Sequence, residues 1–211
     1  MLSTVSVLRL WIISLICVHY GASDGTKDRS KKGCDHLKAC LDHFPMFVDF
    51  IEHDKSRALA TLSYDTLINF VCSKKSKLNN CVARTSCQTT KKLTASIVNE
   101  MVQYICNGGR NVLMSESGCF SRDAFEWGTY QCSSAMKLEI EIITLQIKTL
   151  NESHDKFCKV FDNLLKCIHA NVERSCSTKA ANFVRFLYGL TVKPLAASIN
   201  CAKILEGLLK S

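Results

Sequence analysis

The sequence predicts an all-α fold, a disulfide-rich helical bundle closed by six disulfides and divisible into two related halves. Three observations predict it. Apolar residues recur at helical spacing in the strongest patterned segments. Prolines are limited to Pro45 and Pro194, and the one Asn-Gly hairpin signal is Asn107-Gly108. Twelve cysteines follow an N-terminal export signal.

The export signal comes first in the chain. Arg9 precedes the apolar run from Leu10 to Val18, and the small residues Gly21, Ala22 and Ser23 follow it, so residues 1–23 read as a signal peptide cleaved after Ser23. The run is too short to span a bilayer, and no later stretch reaches the roughly 18 uninterrupted apolar residues of a membrane span. The end, Leu205 to Ser211, matches neither a lipid-anchor nor an ER-retention signal. The expectation is a secreted, extracellular protein with no membrane insertion after signal cleavage. Residues 24–33, rich in charge and small polar groups, read as a flexible tail, and residues 34–211 as a single cysteine-rich helical domain.

Of the 13 cysteines, Cys17 leaves with the signal. The even set that remains is Cys34, Cys40, Cys72, Cys81, Cys87, Cys106, Cys119, Cys132, Cys158, Cys167, Cys176 and Cys201. In an oxidising compartment such a set reads as six bridges, each adding about 2–4 kcal/mol by restricting the unfolded chain. Zinc favours closer pairs, with two to four residues between them, whereas the tightest spacing here holds five. No metal or other cofactor is expected. The mature charge, about +7 once Arg9 is removed from the formal +8, favours acidic partners.

Helical stripes justify the bundle. Leu93, Ile97, Val98, Met101, Val102 and Ile105 form the first, with Gly108 and Gly109 expected to stop it. Phe157, Val160, Phe161, Leu164, Leu165 and Ile168 form a second, and Phe183, Val184, Phe186, Leu187 and Leu190 a third that runs up to Pro194. Leu138 to Ile142 alternates as a strand would. Met136, Ile140, Ile143, Ile147 and Leu150 nevertheless share one helical face, and no second strand exists to pair with, so helix is the expectation.

Spacing constrains the bridges without assigning them. Residues nine apart in one helix are about 13 Å apart along its axis, beyond the roughly 7 Å between the α-carbons of a disulfide. Cys158 and Cys167 must therefore bridge to different neighbours. The same holds for Cys72 and Cys81 unless Ser73-Lys74-Lys75-Ser76 interrupts their helix. The halves look related: Cys72-x8-Cys81-x5-Cys87 precedes Gln88-Thr89-Thr90-Lys91, and Cys158-x8-Cys167-x8-Cys176 precedes Ser177-Thr178-Lys179, with six cysteines in each half.

This order, with Cys34-x5-Cys40 at its start and Cys201 shortly after a lone proline, resembles the nematode chondroitin proteoglycan 4 domain over Cys34 to Cys201. It is also similar to a nematode secreted twelve-cysteine domain of unknown function. The resemblance rests on cysteine spacing and brings no catalytic residue. It implies an extracellular, eggshell-associated or matrix protein, some of whose relatives carry chondroitin on a serine next to glycine. The one Ser-Gly, Ser117-Gly118, follows Glu116, but Cys119 comes at once, which fits a tight turn into a bridge.

Other candidate sites are few. Asn151-Glu152-Ser153 is the single N-glycosylation sequon and is expected between two helices. Lys74, Lys75 and Lys77 follow a pattern seen in heparin-binding segments, which Arg84, Lys91 and Lys92 extend; the plainer reading is solvated helix surface. His154-Asp155 ahead of Cys158 resembles part of the secreted phospholipase motif, yet the paired cysteines and glycine-rich calcium loop of those enzymes are missing, so His154 reads as a residue near a helix start. His36 and His43 read as exposed polar surface. The expectation is therefore a non-enzyme, a structural or matrix-associated module contacting extracellular proteins or sulfated glycans and not nucleic acid. The alternative is a carrier of an apolar small molecule or a signalling ligand, with Phe44, Phe47, Phe50 and Phe70 as cavity-lining candidates.

Overall fold

A computed structural model of the chain describes residues 37, 40–52, 59–60, 62, 65–85, 90–146 and 150–209. Residues 1–36, with the expected signal, tail, Cys34 and His36, lie outside the described residues, as do Cys87 and Ile147. All regular structure among the described residues is helical. In chain order it comprises α1 (Pro45–Glu52), α2 (Asp65–Ser73), α3 (Lys75–Ala83), α4 (Thr90–Tyr104), a π turn (Ile105–Gly109), α5 (Arg110–Ser115), α6 (Ser117–Phe120), α7 (Asp123–Gln146), α8 (Leu150–Ser175), α9 (Thr178–Ser198) and α10 (Ala202–Leu209).

The predicted stripes are the core. In α8, Phe157, Val160, Phe161, Leu164, Leu165 and Ile168 are all buried, joined by Val172 one turn later. In α4, Val98, Met101 and Val102 are buried with Ile97, and Ile105 follows in the π turn. The stretch that alternates at Leu138–Ile142 is helical, within α7, and buries Ile140 and Ile143 against α8. Short connections turn α7, α8 and α9 back on one another, so α8 packs between its two sequence neighbours. The other face of α9 meets α4, where Tyr104 rings against Phe183 and Phe186 at centroid distances of 5.7 and 4.1 Å. One large apolar core therefore runs through both halves of the chain, with Leu37 and Ala95 in a smaller cluster of their own.

Two expected helix ends are not ends. Gly108 and Gly109 do not stop α4: the helix widens into one π turn and continues as α5, with neither glycine at positive φ. Packing explains Gly109, since a Cβ there would lie 2.7 Å from Phe183 Cε2. A Cβ on Gly108 would meet nothing within 4 Å. Opposite effects are expected from the same substitution. Gly109→Ala should cost about 1–3 kcal/mol by forcing the ring aside, whereas Gly108→Ala should stabilise by roughly 0.5–1 kcal/mol through helix propensity. Urea midpoints of the two variants check this, and shifts of equal sign would contradict it.

Pro194 likewise lies inside α9, which runs on to Ser198. Its missing N–H leaves one helical bond unmade, but Ala196 and Ile199 beyond it are buried and hold the last turn to the core. Asn200 then takes φ 56°. Its N–H donates to the Ala197 carbonyl and the Cys201 N–H to the Ala196 carbonyl, the paired bonds of a Schellman stop. This stop turns Cys201 back toward α8. At the other end of α9, Ser177 has an extended backbone and its Oγ accepts from the Ala180 N–H.

Five disulfides are present among the described residues: Cys40–Cys81, Cys72–Cys106, Cys119–Cys176, Cys132–Cys167 and Cys158–Cys201, with α-carbons 5.4–6.5 Å apart. Cys158 and Cys167, both in α8, reach different neighbours, as their spacing requires. Cys72 and Cys81 do so as well, and their helix is indeed interrupted: α2 ends at Ser73 and α3 begins at Lys75.

Candidate functional site

The interruption between α2 and α3 brings three lysines into one turn. Lys74 sits at the break with backbone φ −96° and ψ −2°, and Lys75 and Lys77 open α3. Lys74 Nζ stands 5.7 Å above the centroid of Phe70, whose ring is 43% exposed. Lys75 Nζ donates to Asn107 Oδ1 over 2.8 Å, and Lys77 Nζ lies 3.4 Å from His43 Nε2. These neighbours orient the ammonium groups without neutralising them. Among the described residues no carboxylate pairs with any of the three, whereas nearby Asp65 is held by Arg110 at 2.7 Å. Three positive charges with a half-exposed ring beside them form a surface suited to dispersed anions such as sulfates.

The other predicted cations do not join this cluster. Arg84 caps the far end of α3, about 13 Å of helix axis from Lys75, and Lys92 belongs to another helix, in the first turn of α4. The side chain of Lys91 lies outside the described residues. A second basic group, Lys166, His169 and Arg185, rims an open depression of about 230 Å3 between α8 and α9. It is more nearly neutral. Lys166 pairs with Asp162 at 2.6 Å, and the His169 ring nitrogens face Asn182 at 3.0 Å and Glu173 at 3.7 Å.

The sequence-predicted modification sites fall in helices. Asn151-Glu152-Ser153 forms the first turn of α8 and is not an interhelical loop, because α8 begins one residue before the sequon. Ser117-Gly118 opens α6 with Gly118 exposed and Cys119 buried in its bridge to Cys176. Its acidic neighbour Glu116 is engaged, accepting a hydrogen bond from the Ser177 hydroxyl that caps α9. His154 lies early in α8, and Cys158 beyond it is bridged and offers no thiol. Among the described residues no cluster of three or more His, Cys, Asp or Glu could hold a metal ion.

No family model, no curated protein and no solved structure matches this chain. The functional reading therefore rests on the chain itself. One surface is not evident from the sequence: along the solvent face of α7, Trp127 (61% exposed), Tyr130, Leu138, Ile142 and Leu145 (88% exposed) form an apolar stripe, with the Trp127 and Tyr130 rings stacked at 5.8 Å. A signal for it exists. Positions 127, 138 and 145 fall on one helical face opposite Ile140 and Ile143, but Gln131, Ser134 and Glu141 interrupt that face and blur its pattern.

The carrier candidates are placed elsewhere. Phe44 and Phe47 are each 1% exposed and pack on one another within the core, Phe70 faces the lysine cluster, and the side chain of Phe50 lies outside the described residues. No described helix is long and apolar enough to cross a membrane.

Proposed function

We propose that this protein is a secreted, non-enzymatic binding module of the extracellular matrix that contacts sulfated glycans through Lys74, Lys75 and Lys77. The observation that carries the reading is the lysine turn at the α2–α3 break, which no carboxylate among the described residues neutralises and which Phe70 and His43 flank. Support also comes from the cysteine spacing that resembles the chondroitin proteoglycan 4 domain, from an export-type N-terminus, and from a helical body closed by disulfides of the kind that persist outside cells. The carrier reading ranks second, because Phe44 and Phe47 are committed to the core and the open depression on α8 and α9 is lined by the polar side chains Lys166, His169 and Arg185.

Immobilised heparin tests the proposal. The Lys74→Ala/Lys75→Ala/Lys77→Ala variant is expected to elute at clearly lower salt than wild type. The slope of log affinity against log salt should fall by about 3, one for each ammonium–sulfate pairing removed. A charge-matched control, Lys156→Ala/Lys159→Ala/Lys166→Ala on α8, should elute close to wild type. Equal shifts in both variants would mean that net charge alone is being read, and an unmoved α2–α3 variant would remove the site.

A further inference from the structure

Numbered within its own half, each cysteine set follows the same order of pairing among the described residues. In the second half the first cysteine pairs with the fifth (Cys119–Cys176), the second with the fourth (Cys132–Cys167) and the third with the sixth (Cys158–Cys201). In the first half the second again pairs with the fourth (Cys40–Cys81) and the third with the sixth (Cys72–Cys106). Six cysteines allow 15 connectivities, so agreement by chance is about one in 15.

The surroundings of the bridges repeat too. In both halves the third and fourth cysteines are nine residues apart on helix, and the sixth follows the next long helix, α4 or α9. One residue before the third cysteine is a buried apolar side chain, Val71 or Phe157, and six residues after it another, Leu78 or Leu164. Four residues past the fourth cysteine a polar side chain turns back onto that cysteine's carbonyl. Thr85 Oγ1 donates to Cys81 O over 2.9 Å, and Asn171 Nδ2 to Cys167 O over 3.1 Å. Thr129 and Ser175 make the same bond to the carbonyl four residues back, so it agrees with a repeated unit while the order of cysteine pairing carries the argument.

We infer that the chain is a tandem pair of one six-cysteine helical unit, and that the sixth disulfide, Cys34–Cys87, is the first-to-fifth bridge of the N-terminal unit. It forms as the others do, by thiol–disulfide exchange: two thiols lose two protons and two electrons to an oxidised dithiol donor, which is reduced. The five bridges of the described residues stay within their own unit, and the units meet through apolar packing of α4 on α9 together with the Lys193–Glu100 pair at 2.7 Å. One feature is particular to the N-terminal copy. Two and three residues after the third cysteine the C-terminal unit buries Val160 and Phe161 in an unbroken helix, whereas the N-terminal unit has Lys74 and Lys75 at the α2–α3 break. The lysine turn is thus a departure from the shared unit, made by one copy.

Peptide mapping of the secreted, unreduced full chain decides the matter, because trypsin places every mature cysteine on a separate peptide. Gly33–Lys38, which carries Cys34, is expected linked to Thr85–Lys91, which carries Cys87, and the link should vanish on reduction. Single Cys34→Ser and Cys87→Ser variants should each titrate one thiol per denatured chain, and the double variant none. Recovery of either peptide unlinked, its linkage to any other cysteine, or a reducible covalent dimer in the wild type would overturn the inference. The wild-type map decides even if a variant fails to fold.

Discussion

Phe183→Ala is expected to lower unfolding stability by about 3–5 kcal/mol, among the largest losses any single truncation in this core will give. The ring is 1% exposed and stands where three elements meet. It stacks on Tyr104 at the end of α4 (5.7 Å) and on Phe120 of α6 (6.1 Å), and its edge fills the space that Gly109 leaves. Removing it opens a void that none of these neighbours can close without moving a helix, so the transfer loss and the cavity loss add. A urea titration with unchanged slope and a lower midpoint is the expected result; a loss under about 1 kcal/mol would show that the helices collapse onto the gap.

The same variant carries an electronic readout. Burial pushes the Tyr104 phenol above its ordinary value of 10.0. A raised value in the folded state means that the stability it contributes is complete below pH 10 and is lost as pH climbs through the folded value. Removing the Phe183 ring takes away part of the apolar cover over Tyr104, so ultraviolet titration of the variant should return the Tyr104 transition toward the ordinary value.

Cys158→Ser/Cys201→Ser should cost roughly 4 kcal/mol, the loop-closure entropy of a bridge spanning 43 residues. This disulfide fastens the first half of α8 to the turn that ends α9, and α10 continues from that turn, seating Ile204 in the core against α9. Unreduced wild type and variant compared in urea give the magnitude. Hydrogen exchange gives the place, with amides of Ala202–Leu209 expected to lose protection before those of α9. Uniform loss across α8, α9 and α10 would instead mean that the bridge acts on the whole unit.

The candidate site is legible in the sequence as residue types and illegible as a place. Ser73 to Lys77 stands out as a lysine run, but whether it lies along a helix, where its charges would spread around the axis, depends on a break that only the packing of α2 and α3 produces. Arg84 and Lys92 look like an extension of it in sequence, but Arg84 is carried to the opposite end of α3, because a helix converts a nine-residue interval into axial distance, and Lys92 belongs to α4. The α7 stripe is hidden for a related reason. A periodic pattern names the face that is buried, and exposed apolar residues on the opposite face carry no signal until the neighbours of the helix are known.

The chain alone determined its helices and their inward faces, since the 3.6-residue period of Phe157 to Ile168 or Ile97 to Ile105 is a local property of residue order. It also determined, through their spacing, that Cys158 and Cys167 cannot join each other. Tertiary structure decided what depends on approach between distant segments: which cysteines meet, why Gly109 lies against Phe183 and stops no helix, why α9 passes through Pro194, and where Lys74 points. The physical reason is one of range. Hydrogen bonds of the helix backbone are closed within five residues, whereas packing and cross-linking depend on distances that no local pattern encodes.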